Sequence, residues 1–165
     1  MAGKVMAKPD NKIRGNMKTL ILGIGNPILC DDAVGIEIAR KIKEEKEELE
    51  IIETSEAGIA LLDFVVDYEK LIIIDSIKIE NGKPGELYKI TLDDLKPAQD
   101  FSSSHGIGIA TAFALGKKMK YNMPRETSIY AVHVEDNTNF SEECTDNIKR
   151  RIPSIVQQII NEEKL

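Results

Sequence analysis

No tryptophan occurs in the chain, cysteine and histidine appear twice each, and no basic stripe offsets an excess of 28 Asp and Glu over 22 Lys and Arg. Each scarcity excludes something. The formal net charge of -6 argues against nucleic acid or an anionic membrane surface as partner, because both need clustered cations. The charge clusters present are mixed Lys and Glu, the pattern of solvated helix faces. Cys30 and Cys144 stand far apart in the sequence without paired spacing. They support neither a disulfide scaffold nor a four-thiolate zinc site, and a reducing cytoplasm is the simplest home. No stretch reaches the length of a membrane span. The first sixteen residues, MAGKVMAKPDNKIRGN, lack the apolar segment of a secretory signal. They are set outside the fold, as a disordered leader or a cloning remnant ahead of Met17, so residues 17–165 are read as one domain.

What remains is a chain of 165 residues, 42% hydrophobic, enough for one buried core. Short apolar runs alternate with segments of helical period, the α/β pattern. LILGI from Leu20 reads as a strand, and Val34, Ile38, Ala39 and Ile42 then mark one face of a helix. LEIIET is a second strand, AGIALLDFVVDYEK a helix with Ile59, Leu62, Val65 and Val66 on one face, and LIIIDSI a third strand, apolar on both sides. NGKPGELYKITL reads as a turn and a more polar edge strand, to which an antiparallel direction is open. Gly106 to Tyr121 suits a buried helix with a basic end, and SIYAVHV is the last inner strand. Cys144, Ile148, Ile152, Ile155, Val156 and Ile159 make the stripe of a covering helix, expected to bend at Pro153. The expected architecture is a three-layer α/β/α sandwich on a mostly parallel sheet of about five strands.

The stretch ILGIGNPILCDDAVG, Ile21 to Gly35, starts like a dinucleotide loop and then departs from it. The third glycine position of G-x-G-x-x-G holds Ile28, Pro27 removes an amide donor, and Asp31 and Asp32 would repel a pyrophosphate. Acids at a helix start also serve as ordinary caps, and Asp75, ending LIIID, could simply accept backbone bonds in its turn. Placement changes the weighing. Ligands of open parallel sheets sit at the carboxyl ends of the strands, where Asp32 and Asp75 follow the first and third strands, neighbours in a 2-1-3 order. His105, between SSS and a helix start, enters from the same edge. Two carboxylates and an imidazole make three ligands for a divalent borderline metal, with positions left open. Cys30 with His105 or His133 as base would make a thiol hydrolase, but an acidic neighbourhood raises a thiol's pKa. Serines 102 to 104 lack a G-x-S-x-G elbow. His133, near the end of the last strand beside Glu135 and Asp136, is open to two readings, a fourth polar group at the same rim or, the commoner case for a strand-end histidine, a structural residue.

LGIGNPILCDDAVG resembles the N-terminal motif of the hydrogenase maturation endopeptidases, and IIIDSI and SSSHGIG resemble their second and third motifs, in order. The resemblance runs from about Met17 to the C-terminus. It implies a peptidase of aspartic type that removes the C-terminal extension of the large-subunit precursor of a [NiFe] hydrogenase once nickel has been inserted. Asp32, Asp75 and His105 fall where the family places its metal-contacting residues, and the nickel would arrive with the substrate. The leader before Met17, Cys30 and His133 are departures from the family pattern. Two other readings stay open at this point. One is a free-standing metallohydrolase for a small substrate; the other is a nucleotide-binding module suggested by GIGN.

Overall fold

The computed structural model describes residues 17–95 and 106–165; the leader, Ser102–Ser104 and His105 lie outside them. Five strands form one sheet: β1 (Thr19–Ile24), β2 (Glu50–Thr54), β3 (Lys70–Ile77), β4 (Leu87–Ile90) and β5 (Glu126–His133). Their order is β2-β1-β3-β5-β4. All pairs are parallel except β4 with β5. The helices are α1 (Val34–Glu45), the single turn α2 (Leu62–Val65), α3 (Gly106–Lys118) and α4 (Asp146–Glu163).

The layers follow from alternation along the central strands. In β3, Leu71, Ile73 and Ile77 pack in a core with Leu61, Leu62, Ile109, Ala112 and Phe113, the side of α2 and α3. Ile72 and Ile74 face the other way, into a core with Val34, Ile38, Ile42, Ile148, Ile155 and Ile159 from α1 and α4. The period of two that splits β3 between two cores is why its sequence is apolar throughout. Each core side chain fully buried contributes roughly 1.5–3 kcal/mol. Close approach of α1 to the sheet depends on Gly35, where an added Cβ would sit 2.3 Å from the Ile74 carbonyl oxygen and 2.5 Å from that of Ile24.

Two helical expectations need correction. The segment from Ala57 yields a 3-10 turn, Gly58–Leu61, and only one α turn after it, and Ile59 is exposed. Left-handed Gly58 and Asp67, at φ 64° and 69°, bracket the segment. The chain turns extended at Val66, ψ 142°, so the apolar spacing never extends into a long helix. At the other end of the chain, α4 starts at Asp146 after the cap position Thr145 and continues through Pro153. Cys144 therefore lies ahead of the helix, buried in the same core.

At the amino edge of the sheet, α4 is fastened by one buried carboxylate. Glu163 pairs with Lys70 of β3 at 2.8 Å and Lys89 of β4 at 2.9 Å, and Tyr130 of β5 donates its hydroxyl at 2.6 Å. Burial pushes the Glu163 carboxyl up, but bonds from Lys70, Tyr130, Lys89 and Ser128 outweigh it and hold the pKa at about 2, against an ordinary 4.5. The native state therefore binds this proton more weakly than the unfolded chain. Its contribution, at most about 3 kcal/mol, is fully present above pH 4.5 and is lost as pH falls from there toward 2. Urea denaturation across that window should give Glu163→Gln a flatter stability profile than the parent chain; coincident slopes would remove Glu163 as the source.

Candidate functional site

The loop from β1 to α1 spends its backbone donors internally. Gly25 N–H donates to the Thr54 carbonyl, Leu29 N–H to Asn26, Cys30 N–H to Ser141, Asp31 N–H to Asp136 and Asp32 N–H to Leu29. Asn26 N–H donates to Asp32 Oδ2 at 2.9 Å and Ile28 N–H to its neighbour Asn26 Oδ1, and Pro27 has no N–H. A phosphate needs such amides free and convergent, and between Gly25 and Asp32 each is engaged. The second glycine of GIGN serves packing: a Cβ on Gly25 would lie 2.1 Å from the Asp32 carbonyl oxygen. The nucleotide reading loses its chemical basis in this geometry.

The two adjacent acids divide into different tasks, and neither caps α1. A 3-10 turn, Cys30–Ala33, runs straight into the helix without a side-chain cap. Asp31 has no exposed surface. Its carboxylate accepts from the backbone N–H of Thr145 at 2.7 Å, of Asp136 at 3.0 Å and of Glu135 at 3.3 Å, and from the Thr145 hydroxyl at 3.1 Å. The sequence gives no sign of this role, because each of these amide and hydroxyl donors lies at least 104 positions away. Cys30 is held at φ 44°, a left-handed conformation that costs about 1–2 kcal/mol. The bonds from its own amide and that of Asp31 to the 136–141 segment hold it there.

Asp32 is partly exposed. Its Oδ1 accepts from Ser76 Oγ at 2.9 Å while its Oδ2 takes the Asn26 amide. Ser76 also donates its backbone N–H to Asp75 Oδ1 at 2.8 Å. Ser76 thus bonds both carboxylates, Asp32 through its hydroxyl and Asp75 through its backbone N–H, near the carboxyl end of β3 beside β1. Asp75 is 3% exposed and lies on the side of β3 that α3 covers. The expectation that Asp75 ends its strand and serves a turn is corrected: Asp75 and Ser76 both lie inside β3, paired with Ala131 and Val132 of β5, so the bond from Ser76 is made within the strand.

His105 lies outside the described residues; α3 begins at the next position. The first turns of α3 reach the same carboxyl edge, because a Cβ on Gly108 would come within 2.6 Å of the Gly58 amide nitrogen, just beyond β2. Among the described residues no three His, Cys, Asp or Glu side chains gather as a metal-holding group. The donor set visible here is two carboxylates, oxygen ligands that suit a divalent ion but need a third partner.

His133 is drawn away from this pair. Its Nδ1 accepts the Ile79 N–H at 3.1 Å, its ring packs on Gly82, and its backbone bonds Gly85 and Glu86 in the turn leading to β4. It braces that turn. Cys30 and Cys144, 114 positions apart, come together in the fold: Cys144 Sγ lies 3.7 Å from the Cys30 carbonyl oxygen, and both thiols are free and buried. Burial first, then the charges of Asp31 and Asp136, push the Cys30 thiol up. Burial carries Cys144 up to about 12. Neither supplies thiolate at neutral pH.

Residues 18–162 match the family model described as hydrogenase maturation protease. The chain belongs to the hydrogenase maturation protease family. It is 32% identical over 99 residues to the hydrogenase 2 maturation protease of Escherichia coli K12, a match covering 57% of this chain and 60% of that protein. The match thus spans less than two thirds of that relative's length. Among solved structures, the hydrogenase maturating endopeptidase HybD from E. coli superposes with a TM-score of 0.75 at 22% identity, covering 90% of this chain and 93% of its own. The [NiFe] hydrogenase maturation protease HybD from Thermococcus kodakarensis gives 0.69 at 22% identity, covering 88% and 98%. These structural likenesses confirm the fold, a mostly parallel five-stranded sheet with one antiparallel edge. Among the described residues of this family member, no helix is long and apolar enough to cross a membrane.

The division of labour between the two acids is measurable. Asp31→Ala removes the shared acceptor of three amides and a hydroxyl on part-buried backbone and should lower the unfolding free energy by about 2–3 kcal/mol. Asp32→Asn keeps an amide oxygen for one bond and should stay within roughly 1 kcal/mol of the parent. Equal losses in urea denaturation would show that Asp32 is structural too.

Proposed function

We propose that this chain is a nickel-dependent endopeptidase that removes the C-terminal extension of a [NiFe] hydrogenase large-subunit precursor. The observation that carries the reading is the meeting of Asp32 and Asp75 on Ser76 at the carboxyl edge, in a chain of the hydrogenase maturation protease family. In this reading the nickel is part of the substrate, and Asp32, Asp75 and His105 contact it. Carboxylate and imidazole suit a borderline divalent ion. When bound, such an ion polarises a carbonyl or a water.

The protein's own residues do the positioning. Ser76 and the Asn26 amide fix the rotamer of Asp32, one bond to each oxygen, and a carboxylate oxygen still presents another lone pair. The free energy of ordering these acids is met in folding and not on substrate contact. In this reading the attacking water is activated either by the metal or by a carboxylate acting as general base, and Asp32 is the more exposed of the two acids. A thiol mechanism finds no support, because burial and acidic neighbours hold both cysteines protonated.

The deciding experiment incubates the full chain with a large-subunit precursor, with and without nickel, and weighs the released tail by mass spectrometry. Cleavage is expected only of the nickel-loaded precursor. Asp32→Asn, Asp75→Asn and His105→Ala should each slow it by on the order of 100-fold or more, while Cys30→Ala should cleave like the parent. Undiminished cleavage by the first three would overturn the site; dependence on Cys30 would replace it with thiol chemistry. A purified chain carrying stoichiometric zinc or nickel would favour the free-standing metallohydrolase instead.

A further inference from the structure

Among the large hydrophobic residues described, Phe140 is the most exposed, at 81%, and Ile28 is 49% exposed. The fold brings them together. Leu29 and Ser141 form a parallel bridge, with Ser141 N–H donating to Ile28 at 3.0 Å and Cys30 N–H to Ser141 at 2.9 Å. Ile28 and Phe140 each immediately precede a bridged residue, so the two exposed residues flank one contact between the two segments. The pair adjoins the candidate site, since the Asp32 amide bonds the Leu29 carbonyl at 2.9 Å, one turn away.

Phe140 is also held in place. Asp136 Oδ1 accepts the amides of Thr138 and Asn139, its Oδ2 accepts from the Asn139 side chain, and Asp31 ties the two ends of the 135–145 segment to the core. An aromatic presented from a fixed loop loses little further freedom on binding. The segment is predominantly acidic: Glu135, Asp136, Glu142, Glu143 and Asp146 occur between positions 135 and 146 without a Lys or Arg, and Lys78 reaches it at the Glu135 carbonyl, 3.2 Å away. Within the chain, Glu143 pairs with Lys149.

We infer that Phe140 and Ile28 are the anchor by which this chain docks a protein client beside Asp32, Phe140 entering an apolar pocket on the client that is bordered by Lys or Arg side chains. The inference rests on the endopeptidase reading for the client's identity and extends it to a binding surface. A second copy of the chain is the wrong occupant. A two-fold interface would set this acidic rim against itself.

The test uses the full chain and a hydrogenase large-subunit precursor, with binding measured by calorimetry and cleavage by steady-state kinetics. Phe140→Ala should weaken binding and raise KM by roughly tenfold, with the thermal midpoint unchanged because the side chain is exposed. Phe140→Leu should recover part of the loss. Glu142→Lys should also weaken binding, and its deficit should shrink as salt rises from roughly 0.05 to 0.5 M. Parental affinity in Phe140→Ala overturns the inference, as does a parent chain that is dimeric in solution and made monomeric by that substitution. A parent that binds without cleaving, and loses binding with Phe140→Ala, would retain the docking surface and reject the endopeptidase. A parent that neither binds nor cleaves would reject both.

Discussion

A carboxylate without exposed surface holds the carboxyl edge of this protein together. Asp31 gathers the amides of Glu135, Asp136 and Thr145 into one point behind the β1–α1 loop. The interior is expensive for an unpaired charge, so the segment after β5 has to return to this loop, bringing Cys144 and the start of α4 with it. The left-handed Cys30, the Leu29–Ser141 bridge and the entry angle of α1 are consequences of that closure. Asp32, one residue on, inherits a fixed backbone and is free to turn its side chain toward Ser76.

The same closure leaves a glycine-rich loop at a strand-to-helix junction without the free amides that a phosphate needs. In a phosphate loop the amides are left unpaired and aimed at the ligand. Here they are consumed by Thr54, Asn26, Leu29, Ser141, Asp136 and the Asp32 carboxylate. The glycines answer to backbone proximity, Gly25 under the Asp32 carbonyl and Gly35 between two strands. A motif and its resemblance to a nucleotide fingerprint share a geometric cause, the tight packing of a helix on a sheet, without sharing a ligand.

How much of this could be read from the sequence depends on how local each cause is. The β3 run LIIIDSI and the α1 face Val34, Ile38, Ala39 and Ile42 were legible, because periods of two and 3.6 record burial directly. The β2-β1-β3 order followed from crossover rules and the edge position of β4 from its polar sequence, which left its direction open. The helix after β2 was misread because apolar spacing does not report the left-handed Gly58 and Asp67 that bound it to one turn. Asp31 and Asp32 look equivalent in CDDA, and tertiary contacts separate them, Asp31 to donors more than a hundred positions away and Asp32 to Ser76, 44 positions away. His133 was equally opaque, its partner Ile79 lying 54 positions back.

The proposed ligand set is a sparse one. Two carboxylates and one imidazole, Asp32, Asp75 and His105 in the proposed reading, leave coordination positions open and would hold a free divalent ion weakly, since affinity rises with each donor whose desolvation and ordering are already met. An ion that comes with most of its ligands needs only a few more contacts, and those contacts then report on whether the ion is there. A complete cage would bind metal from solution and lose that discrimination. On this argument a sparse donor set gains selectivity by giving up affinity, and the free energy of docking must come from elsewhere on the surface. An exposed aromatic on a braced loop one turn from Asp32 is a physically economical place for it, because Asp31 orders both at once.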